Sequence, residues 1–154
     1  MPSFSERSRA ELETAHPDLQ KIANEAIKTF DFSVIHGHRD ETAQNRLFPK
    51  HTKIRWPMSK HNSKPSNAID VVPYISGVGG LSGSPKQISD LVLKWNVSRA
   101  KVEQELWWTY GRLHQLFLHI AQANHISIRG GADWDQDDRL LDERFIDAGH
   151  FELI

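Results

Sequence analysis

The chain has 154 residues, the length of one domain, with 38% hydrophobic and 25% charged residues, in the range of a soluble globular protein. Its 19 Lys and Arg against 20 Asp and Glu leave a formal charge of −1, which excludes the basic surplus of a general nucleic-acid binder. The absence of cysteine excludes disulfides, thiol nucleophiles and cysteine-ligated zinc, so any transition metal must sit on carboxylates and the nine histidines.

The N-terminal twenty residues are polar and charged and lack the apolar core of a secretory signal. No stretch approaches the ~20 apolar residues that span a bilayer. The expectation is a single unit over residues 1–154, made and kept in a cytoplasm, without stable membrane association. Ser3 or Ser5 can cap a first helix. Pro17 suits the first turn of a second helix running to Phe30, on which Leu19, Ile22, Ala23, Ala26, Ile27 and Phe30 form one apolar stripe. Phe32, Val34 and Ile35 read as a strand, Asp40 to Phe48 as a short helix ended by Pro49, and residues 50–64 as a loop. Ala68 to Tyr74 is an apolar strand interrupted by Asp70. The Gly/Ser-rich run SGVGGLSGSP over 76–85 reads as a mobile connection. The longest helix is expected from about Lys101 to Asn124, with at least one of Trp107 and Trp108 in the core. Ile126 to Arg129 is a strand from which Gly130-Gly131 turns out, and FIDAGHFELI closes the chain as a last strand. Few, interspersed strands among helices give an α+β class, with helices packed on a small antiparallel sheet.

Polar residues interrupt apolar runs in three places: Ser59-Lys60-His61-Asn62 with Asp70, Asp147 to Glu152, and His36-Gly37-His38-Arg39. A carboxylate in a half-buried strand demands a cation or a metal, and His61, Asp70 and His150 could supply three N/O ligands to a catalytic zinc. Taken singly, each is equally a hydrogen-bonded polar residue.

Ser59 to Tyr74, as S-K-H-N…P-S-x-A-x-D-V-x-P-Y, resembles the metal-binding segment of the VanY-type zinc peptidases, in particular the L-alanyl-D-glutamate endopeptidases that tailed phages use as endolysins. The likeness continues in Gly37-His38-Arg39 with Gln44 following, in Ile128 to Trp134, and in D-x-x-H-F-E from Asp147 to Glu152. It implies a Hedgehog/DD-peptidase-like zinc peptidase fold, zinc ligands His61, Asp70 and His150, and Asp147 as general acid/base. It further implies that Arg39 faces the substrate and the developing oxyanion, that Gln44 contacts substrate, and that the Ser59 hydroxyl either contacts substrate or supports the first ligand from behind. One departure is the spacing: eight residues, Asn62 to Ile69, separate the first His from the Asp, where many relatives have six.

The activity so implied is hydrolysis of peptidoglycan stem peptides at the L-alanyl–D-glutamate bond. The enzyme would be a monomer without a wall-binding module, held in the host cytoplasm and released to the wall by a separate pore-former. A D-alanyl-D-alanine carboxypeptidase or dipeptidase and a non-enzymatic zinc domain that binds a partner are the rival readings. His36 and His38 alternate and would share a face; a second metal pair is one reading, and support of the floor of the site or contact with substrate is the preferred one, because Arg39 follows directly. Asp133, Asp135, Asp137 and Asp138 form a D-x-D-x-D-D run that resembles the start of a calcium loop but lacks its Gly and final Glu. It is a solvated acidic loop or a calcium site.

Overall fold

The computed structural model describes residues 1–137, 139–140 and 147–154. Its early helices begin where side chains accept the N–H groups that a first turn leaves free. Ser5 accepts from Ser8 ahead of α1 (Glu6–Glu13), His16 from Asp18 ahead of α2 (Pro17–Ala26), and Asp40 from Ala43 ahead of α3 (Glu41–Leu47). Helix α2 is shorter than its apolar stripe suggests. It stops at Ala26, and Phe30 is carried by a following turn whose N–H still reaches the Ala26 carbonyl.

The strands are β1 (Phe32–His36), β2 (Ala68–Ile75), β3 (Gly79–Gly80), β4 (Ile128–Gly131) and β5 (Asp147–Leu153). They form one antiparallel sheet in the order β1-β2-β5-β4, with β3 added to β2. The α+β expectation therefore holds. Strand alternation sends Ile69, Val71 and Phe151 to one face. There they join Leu19, Ile22, Phe32, Val34, Leu113 and Phe117 in the main core. Phe117 stacks on Phe151 at 4.2 Å between ring centroids and meets Phe32 edge-on at 5.4 Å. Burying each such ring contributes roughly 1.5–3 kcal/mol.

Residues 76–85 are less of a connection than the sequence suggests. They contain the turn and strand β3, and Leu81 is buried in a second core. Ser84 and Pro85 then start α4 (Pro85–Trp95), a helix that the Gly/Ser run concealed, and Asn96 closes it in the left-handed conformation. Ser98 caps the long α5 (Arg99–Ala123). Ile88 and Leu91 of α4 pack with Val102, Leu106 and Tyr110 of α5 in that second core.

Two expectations fail for geometric reasons. Gly130 and Gly131 belong to β4 and pair with β5 rather than turning out of the sheet. Neither tryptophan is in the core: Trp107 is 40% and Trp108 66% exposed. The buried stripe Leu106, Tyr110, Leu113, Phe117 sets the inward face of α5, and the next two positions after Leu106 rotate away from it. No helix among the described residues is long and apolar enough to cross a membrane.

Candidate active site

The sheet face opposite Ile69 and Phe151 carries a row of polar side chains. Directly paired residues of antiparallel strands project to the same face, and the pairs here are His36 with Asp70, Asp70 with His150, and Arg129 with Glu152. A register shift between Val34 and His36 of β1 re-aims His36 at Asp70.

His61 reaches the same point from a single 3₁₀ turn, Lys60–Asn62. Ser59 and Asn62 form a reciprocal cap around that turn, and the Ser59 hydroxyl accepts from the His61 N–H. The turn is tied to the segment after β1: Arg39 N–H donates to the His61 carbonyl at 2.8 Å, and the Asn62 amide donates to the Arg39 carbonyl at 3.0 Å. Gly37 lets this segment pack on α1, since a Cβ there would lie 2.1 Å from the Glu11 carbonyl oxygen.

Three atoms converge. His61 Nε2 lies 3.2 Å from Asp70 Oδ1, His150 Nδ1 lies 2.9 Å from the same oxygen, and the two nitrogens are 3.3 Å apart. In a tetrahedral site with metal–nitrogen bonds of 2.0–2.1 Å, ligand atoms are about 3.3 Å apart. The far side of each ring faces an acceptor: His61 Nδ1 donates to the Gly37 carbonyl at 2.7 Å, and His150 Nε2 donates to Glu152 Oε2 at 3.0 Å. These bonds fix both neutral tautomers with lone pairs turned inward. Two imidazole lone pairs and a carboxylate oxygen aimed at one point repel unless a cation sits between them, so the residues fit a metal.

The local electrostatics say the same. Burial opposes the charged form of Asp70, but where no cation sits between the rings, protons shared from His150, His36 and His61 hold its carboxyl well below the usual range. Burial likewise pulls His150 down, and its bonds to Asp70 and Glu152 outweigh this and carry its pKa up to about 9. The site demands positive charge.

Asp147 opens β5. Pairing passes from Gly130–Phe151 to Gly131–Asp147, so residues 148–150 bulge out of the β4–β5 ladder. Gly149 is what lets the bulge press on β2, because a Cβ there would lie 2.4 Å from the Val71 carbonyl oxygen. The bulge breaks the alternation that would separate Asp147 from His150. Asp147 stands at the rim, where desolvation of its carboxyl and the Asp70 charge raise its pKa while His150, Arg39 and His61 pull it down.

The remaining expected residues are placed as follows. Arg39 Nη2 donates to Asp70 Oδ2, on the side away from the two imidazoles, and its buried Nε–H has no partner among the described residues. His36 Nδ1 meets the same oxygen at 3.2 Å. His38 instead turns to the Ser63 carbonyl. Gln44, expected at the substrate, is fully buried: its amide donates to the Ile54 carbonyl and its oxygen accepts from Asn62, which braces the turn carrying His61. The Ser59 hydroxyl is likewise engaged as that turn's cap. Glu152, the alternative carboxylate to Asp147 as base, and Trp134 adjoin His150, and Arg129 adjoins both of them; the H-x-E alternation at His150 and Glu152 is the signal for this grouping, since residues two apart on a strand share a face. Glu152 accepts from Arg129 as well as His150, and these bonds overcome its burial and hold its pKa at about 2.

Asp133, Asp135 and Asp137 also bring carboxylate oxygens within 4.8 Å of one another, with Asp133 buried and the other two exposed. Asp138 lies outside the described residues.

Comparison with known proteins adds three findings. A crystal structure of the Serratia marcescens L-Ala D-Glu endopeptidase ChiX is similar in fold, with a TM-score of 0.66 and 21% identity over 99% of this chain and 90% of that one. The L-alanyl-D-glutamate peptidase of Escherichia phage T5 is 27% identical over 156 residues, 98% of this chain and 97% of that protein. The family model described as phage L-alanyl-D-glutamate peptidase matches residues 2–83, the part that contributes Arg39, His61 and Asp70. With that match over more than half its length, and a relative that continues it through His150, the chain belongs to the phage L-alanyl-D-glutamate peptidase family.

Proposed function

We propose that this peptidase is a zinc-dependent endolysin that hydrolyses the L-alanyl–D-glutamate bond of peptidoglycan stem peptides. The observation that carries the reading is the convergence of His61 Nε2, Asp70 Oδ1 and His150 Nδ1, each held from behind, beside a rim carboxylate in a chain of this family. His61, Asp70 and His150 would hold the zinc, and Asp70 would offer Oδ1 because Arg39 and His36 occupy Oδ2. Zinc there supplies a Lewis acid and lowers the pKa of water toward ~7.

Asp147 takes the proton of the attacking water and returns it to the leaving amine. Desolvation and the Asp70 charge raise its pKa, which makes it a stronger base than an ordinary carboxylate. The Arg39 guanidinium, held beside Asp70, would supply positive charge to the substrate carbonyl oxygen as negative charge develops on it. Gln44 and Ser59 serve by holding the turn that presents His61. As an endolysin the enzyme would reach the wall once a separate pore-former opens the host membrane. The oxygen-only set of Asp133, Asp135 and Asp137 suits a hard cation, and calcium is the ion we assign to it.

The test is digestion of purified peptidoglycan with and without a chelator, followed by mass analysis of the new ends. The reading expects C-terminal L-alanine and N-terminal D-glutamate, lost on chelation and restored by zinc. Release of D-alanine alone would assign a carboxypeptidase; no new ends would leave a binding domain.

A further inference from the structure

The His150 ring is enclosed on the side away from Asp70. Its Nε2–H donates to Glu152 Oε2 at 3.0 Å, and Glu152 Oε1 accepts from Arg129 Nε at 2.9 Å and Nη2 at 2.8 Å. The Arg129 guanidinium lies 5.3 Å from the centroid of Trp134, and Trp134 in turn lies 5.4 Å from the His150 ring. The four side chains form a closed circuit: His150 to Glu152, Glu152 to Arg129, Arg129 to Trp134, Trp134 back to His150. Backbone pairing sets it up, since Arg129 and Glu152 are partners across β4 and β5 and Glu152 stands two residues beyond His150 on the same face. The Glu152 side chain is only 7% exposed, so its charge is committed to these two donors rather than to solvent.

We propose that Glu152 is a positioning residue for the metal site, with Arg129 and Trp134 as its support: it keeps the proton of His150 on Nε2, turns the Nδ1 lone pair to the metal, and fixes the plane of the ring. The proposal rests on the ligand set given above. A carboxylate behind a ligating imidazole orients it and makes it a stronger donor, and loss of such a partner typically costs about 10–100-fold in metal affinity. Arg129 spans Glu152 through two N–H groups, a geometry that lysine cannot reproduce.

Zinc affinity is measured by competition with a chromophoric chelator on the whole chain, for wild type, Glu152→Ala and Glu152→Gln. The expected result is a loss of about 10–100-fold in Glu152→Ala, with partial recovery in Glu152→Gln, whose amide oxygen still accepts from Nε2–H. The wild type supplies a second reading that needs no variant to fold: the ¹⁵N-histidine spectrum of zinc-loaded protein should show His150 protonated at Nε2. Folded Glu152→Ala with wild-type affinity, or His150 protonated at Nδ1, overturns the proposal. Wild type without stoichiometric zinc removes the ligand set and this proposal with it. Tight wild-type zinc with unchanged affinity in the variant removes the positioning role alone.

Discussion

Two groups of acidic and imidazole side chains in this molecule satisfy the same proximity, yet they are built differently. His61, Asp70 and His150 come from a capped turn and two central strands, and each has a partner behind it: the Gly37 carbonyl, Arg39 with His36, and Glu152. Asp133, Asp135 and Asp137 follow one another on the segment after β4, and two of the three are exposed. The first group stays convergent because the sheet and its back-side hydrogen bonds leave the side chains little else to do. The second lies on one short stretch of chain, where Asp133 is buried and accepts the Asp137 N–H while Asp135 and Asp137 face solvent. Proximity alone therefore does not rank two candidate sites; the burial of the donors and the separate elements that bring them together do.

The largest effect should separate the groups outright. His61→Ala or His150→Ala removes a nitrogen donor from a three-ligand site, so metal analysis should find no stoichiometric zinc and peptidoglycan hydrolysis should fall to background. Asp135→Ala should keep its zinc. Zinc retained in both histidine variants would make the two groups equivalent and erase the distinction.

Asp147→Asn comes next. It keeps the shape of the rim and removes the proton acceptor, which costs about 10²–10⁴-fold in rate. Zinc content should be unchanged. Near wild-type hydrolysis would show that Asp147 is not the base, and a metal-free folded protein would make it a ligand.

Calcium probes the second group. Added to zinc-loaded protein at several times its dissociation constant, a bound cation stabilises by roughly 1 kcal/mol, a rise of about 2–4 °C in Tm for a chain of this size. Asp135→Ala should abolish that rise, whereas Asp147→Asn should leave it intact. A Tm that does not move with calcium would make the acidic segment a solvated one.

The smallest effect lies between the two groups. His114 of α5 is buried against Phe151, the neighbour of His150, and is sensitive to the charge of Asp133. Burial lowers its pKa, and Asp133 offsets this only in part. The folded chain therefore resists a proton that the unfolded chain accepts below about pH 6.5. Stability falls as pH drops through that value, with a slope contribution of at most about 1.4 kcal/mol per pH unit. His114→Leu should flatten this part of a denaturation series between pH 7 and 5.5; an unchanged slope would show that His114 is protonated in the fold.

Much of this was legible in the chain itself. Alternating apolar residues around Asp70 and His150 announced strands that hold polar groups on one face, and the Ser5, Pro17 and Asp40 signals placed three helix starts. Helix α4 was hidden because its Ser84-Pro85 start lies at the end of a Gly/Ser run whose composition reads as loop. The bulges at Val34–His36 and at 148–150 are products of strand pairing, which local sequence does not encode, yet they decide that His36 and Asp147 join the site. Gln44 illustrates the opposite error: a polar residue beside a functional motif reads as a substrate contact, while burial turns it into a brace. Arg39 was legible as part of the site, but its commitment to Asp70 depends on a fold that brings β1 beside β2.

The central claim is that the backed, convergent group is the zinc site. Anomalous diffraction at the zinc edge, from crystals of protein loaded with one equivalent of zinc, tests it directly. The account predicts a single peak about 2.0–2.1 Å from His61 Nε2 and His150 Nδ1 and about 2.0–2.2 Å from Asp70 Oδ1. A peak among Asp133, Asp135 and Asp137, or none at His61, Asp70 and His150, would contradict it.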